Sequence, residues 1–382
     1  MKKLLCMLLA ALMVMTMASF ALADAEPEYK IAILTGTTTQ GEEEYYAATS
    51  LIEKYGDKVV HDTYPDNFAS EVETTISKLM AFANDPAVRA IIFVQQVQGG
   101  TSAFTQIKQL IEDTGRDDIL LIAGVPAEDP ADISAAADIV LAVDEIGCGY
   151  QVADLASQWD CDVIVHYSFA RHLSYETIVA KRDAMKMTAE SYGIEFVERD
   201  CPDPTGDAGM SGAQAAILED VPKVMQEYAG KKVCFYNTNC GMQVALQQAV
   251  IGAGDDAYYA LPCCPSPYHG FQEAFGLDAT YGDIEGAIEN LAAYLNENGA
   301  TSRFSTWSIP VNMSMINASY EYACAWAEGK LDSKIDEAFL TECFSTAAGS
   351  EASLGKYTDA DGNPYENYYL INFQPIDFND YV

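Results

Sequence analysis

Residues 90–123 read AIIFVQQVQGGTSAFTQIKQLIEDTGRDDILLIA. Ala90 to Val94 is a short, wholly apolar run, the pattern of a strand covered on both faces. Phe104 to Asp113 reads as a helix, stopped by Gly115. Ile119 to Ala123 is apolar and strand-like again. Strand, helix and strand in so short a stretch make a βαβ unit, which belongs to a parallel sheet with helices on its faces.

The same alternation extends outward in both directions. Upstream, Tyr29 to Leu34 and Lys58 to His61 read as strands, and Glu42 to Tyr55 as a helix. Ser70 to Ala83 reads as a further helix, with Ser70 and Glu73 in capping-box spacing. Downstream, Ile139 to Val143 completes a first group of strands. The order then begins again. Strands are expected at Asp162 to Tyr167, Ile194 to Glu198, Val233 to Tyr236, Ala257 to Leu261 and Arg303 to Ser308. Helices fall between them, at Ser174 to Tyr192, Ala213 to Tyr228, Gly241 to Val250 and Gly282 to Asn296. The expectation is an α/β protein of two doubly wound parallel-sheet lobes joined by a hinge. Residues 24–145 form the first lobe and 146–310 the second. Residues 311–382 return through the hinge as helices (Met315 to Ala327, Lys334 to Phe344) and a terminal hairpin, Tyr357 to Phe378, packing on the first lobe. The hinge crossover is expected at Asp144 to Gly149, with a return at Pro310 to Asn312.

Lys2 and Lys3 precede an uncharged, almost wholly apolar run from Leu4 to Phe20. Ala21-Leu22-Ala23 then places small residues where a signal peptidase reads them. Residues 1–23 are therefore expected to be a cleaved secretory signal; the alternative is an uncleaved anchor, since the run nearly spans a bilayer. Cys6 is no lipoprotein site, because the apolar run follows it. The formal charge is −36, from 57 acidic and 21 basic residues. So acidic a surface repels nucleic acid and anionic lipid, and no nucleic-acid partner is expected. Of ten cysteines, Cys6 lies in the leader. That leaves an odd number: Cys148, Cys161, Cys201, Cys234, Cys240, Cys263, Cys264, Cys324 and Cys343. They cannot all pair within one chain. Their irregular spacing, without a C-x-x-C, predicts no zinc module, and no cofactor is expected.

In open parallel sheets, ligands sit beyond the carboxyl ends of the strands. The first strand runs into Thr35-Gly36-Thr37-Thr38-Thr39-Gln40, and the third into Gln95-Gln96-Val97-Gln98-Gly99-Gly100. Thr35, Thr37, Gln40, Gln95 and Gln96 are candidate hydrogen-bonding contacts to a polar solute, though a helix cap and turn would also use such residues. In the second lobe, Tyr167 offers an aromatic face, Arg171 a bidentate grip on an anion, and Thr238 and Asn239 a hydroxyl and an amide at a helix start. Arg171 could equally pair with a neighbouring acid. Trp307, near the return hinge, either stacks on a ligand or fills the space between lobes. Cys263-Cys264-Pro265-Ser266-Pro267-Tyr268-His269-Gly270 also follows a strand; its prolines predict a rigid loop, with ligand contact as the alternative. Asp359-x-Asp361-x-Asn363 resembles a calcium loop, but Pro364 and Leu370 stand where Gly and Glu are needed, so a hairpin turn is expected. No catalytic constellation is recognisable.

The strings YKIAILTGT, HYSFARHLS, FYNTNCG and CCPSPYHGF resemble an uncharacterised family of exported bacterial proteins, itself similar to the type 1 periplasmic solute-binding proteins of ABC importers. The resemblance spans essentially the whole chain after the leader. It implies an extracytoplasmic receptor that closes over a small solute and delivers it to an ABC permease; the solute itself is read from the uncharged amides and hydroxyls at the strand ends, which favour a small polar one such as a sugar or nucleoside. It implies no catalysis. The alternatives are a sensory receptor without transport, or a secreted racemase-type enzyme using Cys240 with Cys263 or Cys264.

Overall fold

Two parallel sheets carry the chain, and both are built on one strand order. The computed structural model describes residues 29–382 apart from 269, 279–281 and 360. The expected leader, Cys6 and His269 lie outside the described residues. The first sheet begins with β1 (Lys30–Thr35), β2 (Val59–Thr63), β3 (Val88–Val94), β4 (Leu120–Gly124) and β5 (Ile139–Val143), all parallel in the order β2-β1-β3-β4-β5. α1 (Glu42–Tyr55), α2 (Val72–Asn84), α3 (Gly100–Thr114) and α4 (Pro130–Ala136) connect these strands. α5 (Glu145–Gln158) then carries the chain to the second sheet. There β6 (Val163–Ser168), β7 (Glu195–Asp200), β8 (Val233–Asn237) and β9 (Ala257–Tyr259) lie parallel in the order β7-β6-β8-β9. Its helices are α6 (Glu176–Ser191), α7 (Gly209–Glu227), α8 (Cys240–Gly252), the short α9 (Phe271–Phe275) and α10 (Ile284–Glu297).

The unbroken apolar strands are explained by burial on both faces. Ile31, Ile33, Ala90, Ile92 and Val94 enter one apolar cluster, while Ala32, Leu34, Ile91 and Phe93 alternate into another. In the second sheet Ile164, Cys234 and Tyr236 join the first of these clusters, and Val163, Val165, Val233 and Phe235 form a separate core beneath α7 and α8. One apolar cluster therefore runs through both lobes. Gly149 belongs to this junction: a Cβ there would stand 2.4 Å from the Lys181 carbonyl oxygen, so its absence lets α5 and α6 touch.

The chain crosses between sheets three times. The first crossing is the start of α5, where Asp144 caps the helix by accepting from the Gly147 N–H at 2.8 Å. The segment expected as a crossover, Asp144 to Gly149, is thus largely helical, because the Asp144 cap offsets the helix penalty of Gly147 and Gly149. The second crossing leads through Pro310 into α11 (Val311–Ala327) and α12 (Glu337–Ala348) on the first sheet. β10 (Ala352–Thr358) and β11 (Pro364–Phe373) follow as an antiparallel hairpin, and β11 pairs in parallel with β5, Tyr368 opposite Val140. The third crossing returns the chain to the second lobe, where the Ile376 N–H donates to the Thr306 carbonyl at 2.8 Å and Phe378 is buried.

Other boundaries shift for physical reasons. Ser70 does not cap α2. Its hydroxyl donates to the Asn67 carbonyl at 3.0 Å, and α2 begins after Glu71. α3 starts at Gly100 because another residue supplies its cap, and it stops at left-handed Gly115 as expected. Arg303 to Ser308 makes only a bridge, Phe304 beside Tyr259, since its remaining backbone serves the third crossing. No helix among the described residues is long and apolar enough to cross a membrane.

Candidate functional site

A cavity of about 650 Å³ lies where the carboxyl ends of the first sheet face the second lobe. That volume falls in the range of small-molecule sites. The first lobe contributes Gln40 and Gly41 after β1, Glu42, Glu43 and Glu44 from the first turn of α1, and Gln95, Val125 and Val143 from the ends of β3, β4 and β5. The second lobe contributes Cys263, Cys264, Pro265, Ser266, Tyr268, Gly270, Gln272 and Glu273. The crossings supply Glu145, Trp307, Pro310 and Asn312. None of the described residues lining the cavity is a lysine or arginine.

Three features show that the first-lobe wall is tightly built. Gln95 and Val125 both sit at positive φ, 57° and 47°. That region disfavours any side chain, and a β-branched one most, and such strain concentrates at functional sites. Gly41 lets the Glu44 carboxyl lie against the backbone: a Cβ there would meet Glu44 Oε1 at 1.7 Å and push the side chain aside. Glu44 itself is buried, accepts from Asn312 Nδ2 at 3.3 Å, and leaves Oε1 without a hydrogen-bond partner. Burial pushes its carboxyl up to about 7.

The residues singled out in the sequence divide sharply. Gln40, Gln95 and Trp307 line the cavity. Trp307 is fully buried, with Nε1 donating to Gln151 Oε1 at 3.0 Å and its ring edge-on to Phe373. The others do not line it. The Thr35 hydroxyl donates to the Gly36 carbonyl and meets His61 Nε2, both at 2.8 Å. His61 is held neutral by burial, which lowers its pKa to about 4. Thr37 donates to Asp66. Gln96 donates to Glu128, whose carboxylate also accepts from the N–H groups of Gly99 and Thr101, and so caps α3. Tyr167 is packed in the second-lobe core and donates to Asp220 at 3.0 Å. Arg171 forms a two-bond pair with Asp203, at 2.7 and 2.9 Å, and lies over the Phe169 ring. Thr238 bonds Ser168 and His172, and Asn239 caps α8 while meeting His172 Nε2 at 3.2 Å. Sequence reasoning missed Glu44, Val125, Glu145 and Asn312. The acidic triplet Glu42-Glu43-Glu44 directly after a strand-end loop was a usable signal.

At the second-lobe wall, three thiols meet. Cys240 Sγ is 3.2 Å from Cys263 Sγ and 3.5 Å from Cys264 Sγ, and all three lie within 4.8 Å of one another. The absence of a zinc spacing did not reveal this, because α8 and the loop after β9 bring distant cysteines together. Beside them, buried Lys181 pairs with Glu145 and reaches Tyr236 Oη at 3.3 Å and the Cys263 carbonyl at 3.4 Å. Burial opposes its charge, but Tyr236 and Glu145 outweigh burial and hold its pKa well above the usual value.

Solved structures share this architecture. A Clostridium difficile 630 protein, provisionally described as a transcriptional regulator, matches with TM-score 0.81 at 18% identity, over 92% of this chain and 99% of that one. A periplasmic ribose ABC transporter protein of Conexibacter woesei DSM 14684 matches with TM-score 0.50 at 10% identity, over 94% and 95%. An ABC transporter periplasmic solute-binding protein of Actinobacillus succinogenes 130z, with bound D-allose, matches with TM-score 0.50 at 12% identity, over 92% and 99%. These likenesses show the type 1 periplasmic-binding-protein fold. In sequence, an uncharacterized protein of Treponema pallidum (strain Nichols) is 33% identical over 189 residues, 48% of this chain and 83% of that protein. A second from the same organism is 31% identical over 176 residues, 46% of this chain and 79% of that protein. Residues 29–305 match the family described as "Protein of unknown function (DUF3798)", and the chain belongs to that family.

Proposed function

We propose that this chain is an extracytoplasmic solute-binding protein that closes two lobes over a small, neutral, hydroxyl-rich solute and presents it to an ABC permease. The observation that carries this reading is the cavity, walled by both lobes and lined, among the described residues, with carboxylates, amides and aromatic side chains but no lysine or arginine. Carboxylates accept from hydroxyl groups, amides both donate and accept, and an anionic solute would find no positive partner. The fold agrees, since two of its structural neighbours are named as a ribose ABC transporter and as a solute-binding protein holding D-allose. The leader expected over residues 1–23 gives the route out of the cell. Gln40, Glu44, Gln95 and Asn312 are the contacts we assign to the solute.

The racemase reading loses support from the thiol geometry. Two opposed cysteines must hold a substrate carbon between them, whereas Cys240 Sγ touches Cys263 Sγ at 3.2 Å. The test is a thermal-unfolding screen of the purified protein against neutral sugars, nucleosides, sugar phosphates and polyamines. A binding solute at a hundredfold excess over its Kd adds about 2.7 kcal/mol to stability. A neutral sugar or nucleoside is expected to be recovered unchanged and to give that shift. Stabilisation by sugar phosphates alone, or chemical conversion of the solute, would overturn the proposal.

A further inference from the structure

We propose that Cys240, Cys263 and Cys264 form a binding site for a thiophilic d10 cation, represented by Zn2+, with a fourth coordination position opening to the interlobe cavity.

The three sulfur atoms are already nearly in place. Three thiolates bound at about 2.3 Å around one tetrahedral ion stand about 3.8 Å apart. Here they stand 3.2 and 3.5 Å apart along two edges, and all lie within 4.8 Å. Movements of less than about 1 Å complete the site. The positions are set by packing that involves no metal. Cys240 is the first residue of α8, and Gln243, one turn along the same helix, accepts from the Cys263 N–H at 3.1 Å. Gly270, at φ 76°, closes the loop: a Cβ there would fall 2.8 Å from Gln247 and 3.0 Å from Gln243. Helix and loop are thus fixed to each other, which is the preorganisation a metal site needs.

A disulfide would use only two of the three sulfurs, whereas a metal uses all three. Binding follows Zn2+ + 3 RSH → [Zn(SR)3]− + 3 H+, the protons passing to the solvent. The resulting negative charge sits at the positive end of α8 and near the Lys181 ammonium, 3.4 Å from the Cys263 carbonyl. Cys263 and Cys264 line the cavity wall, so the position not filled by protein faces the space where a solute would sit. Three protein ligands with one open position is the arrangement that separates reactive zinc sites from structural ones. The site stands on its own geometry and does not depend on the solute being a sugar.

The test uses the full chain, purified reduced and metal-free, titrated with Zn2+ and with Co2+ as its spectroscopic stand-in. One equivalent is expected to bind, with a thiolate-to-cobalt charge-transfer band. Mass spectrometry after alkylation should show Cys240 and Cys264 shielded by metal and Cys324 unaffected. Cys264→Ser, at an exposed position, should keep the native circular dichroism spectrum and weaken Zn2+ by more than about a hundredfold, beyond the range of second-shell changes. Cys324→Ser should bind as the parent does. Absence of stoichiometric binding would sink the proposal. So would binding indifferent to both Cys240→Ser and Cys264→Ser, or a Cys240 disulfide that persists with metal present. A protein that binds a neutral sugar but no Zn2+ loses this inference and keeps the solute reading.

Discussion

The loops after β3 and β8 hold equivalent places in the two sheets, yet their residues do different things. After β3, a carboxylate from elsewhere, Glu128, caps α3 through the Gly99 and Thr101 N–H groups, and Gln95 is left at the cavity wall. After β8, Asn239 caps α8 with its own side chain and is held by His172, so it stays out of the cavity. The second lobe then builds its wall from the loop residues Cys263, Cys264, Ser266 and Tyr268 and from Gln272 and Glu273 instead. A strand-end position becomes available to a ligand only where some other residue meets the backbone's hydrogen-bonding needs.

That contrast can be broken experimentally. The largest effect is expected from Glu128→Ala, which strips an ionised acceptor from two backbone N–H groups and from Gln96. Urea unfolding should show a loss of about 3 kcal/mol. A loss no larger than for Asn239→Ala, about 1 kcal/mol for a simple cap, would erase the distinction between the two loops. Next comes Glu44. Its folded carboxyl is raised from 4.5 to about 7, so the folded state holds the proton more tightly than the unfolded one. The stability it contributes is full below about pH 4.5 and is lost as pH rises towards 7. Glu44→Gln should flatten that slope and leave the protein more stable at pH 8 by up to about 3 kcal/mol. An unchanged slope would mean that this wall carries no buried charge.

Smaller effects separate binding from folding. Once a solute is identified, Gln95→Ala should weaken it roughly tenfold by calorimetry, about 1.4 kcal/mol. Asn239→Ala should leave affinity alone while lowering stability. The reverse outcome would move the site to the β6–β8 side. Arg171→Ala should do least, with the urea-unfolding midpoint nearly unchanged and nothing lost in affinity, because an exposed pair with Asp203 contributes little.

Much of the architecture was legible from periodicity alone. β5 and α1 fall where their apolar spacing put them, because strands covered on both faces and helices with one apolar stripe leave strong patterns. α5 was missed. Its sequence, GCGYQVADLAS after Ile146, carries two glycines that propensity penalises; Gly149 is the one the contact with α6 requires. The candidate site was less legible. Tyr167 and Gln95 both end strands, and only the sheet's orientation sends one ring into a core and one amide to a cavity. Nor does the spacing of Cys240 and Cys263 say that α8 will lay them together.

The three crossings bear on how the polypeptide is made. β11, near the carboxyl end, closes the flank of β5, and Ile376 and Phe378 seal the core of the other lobe. A ribosome delivers those residues only after β5 and the whole second sheet. Until they arrive, β5 presents an unpaired edge that invites pairing with a neighbouring nascent chain, and the second core lacks part of its apolar cover. Neither lobe is therefore completed by its own contiguous stretch of chain, and each waits for residues 364–378 before its sheet edge or core is covered.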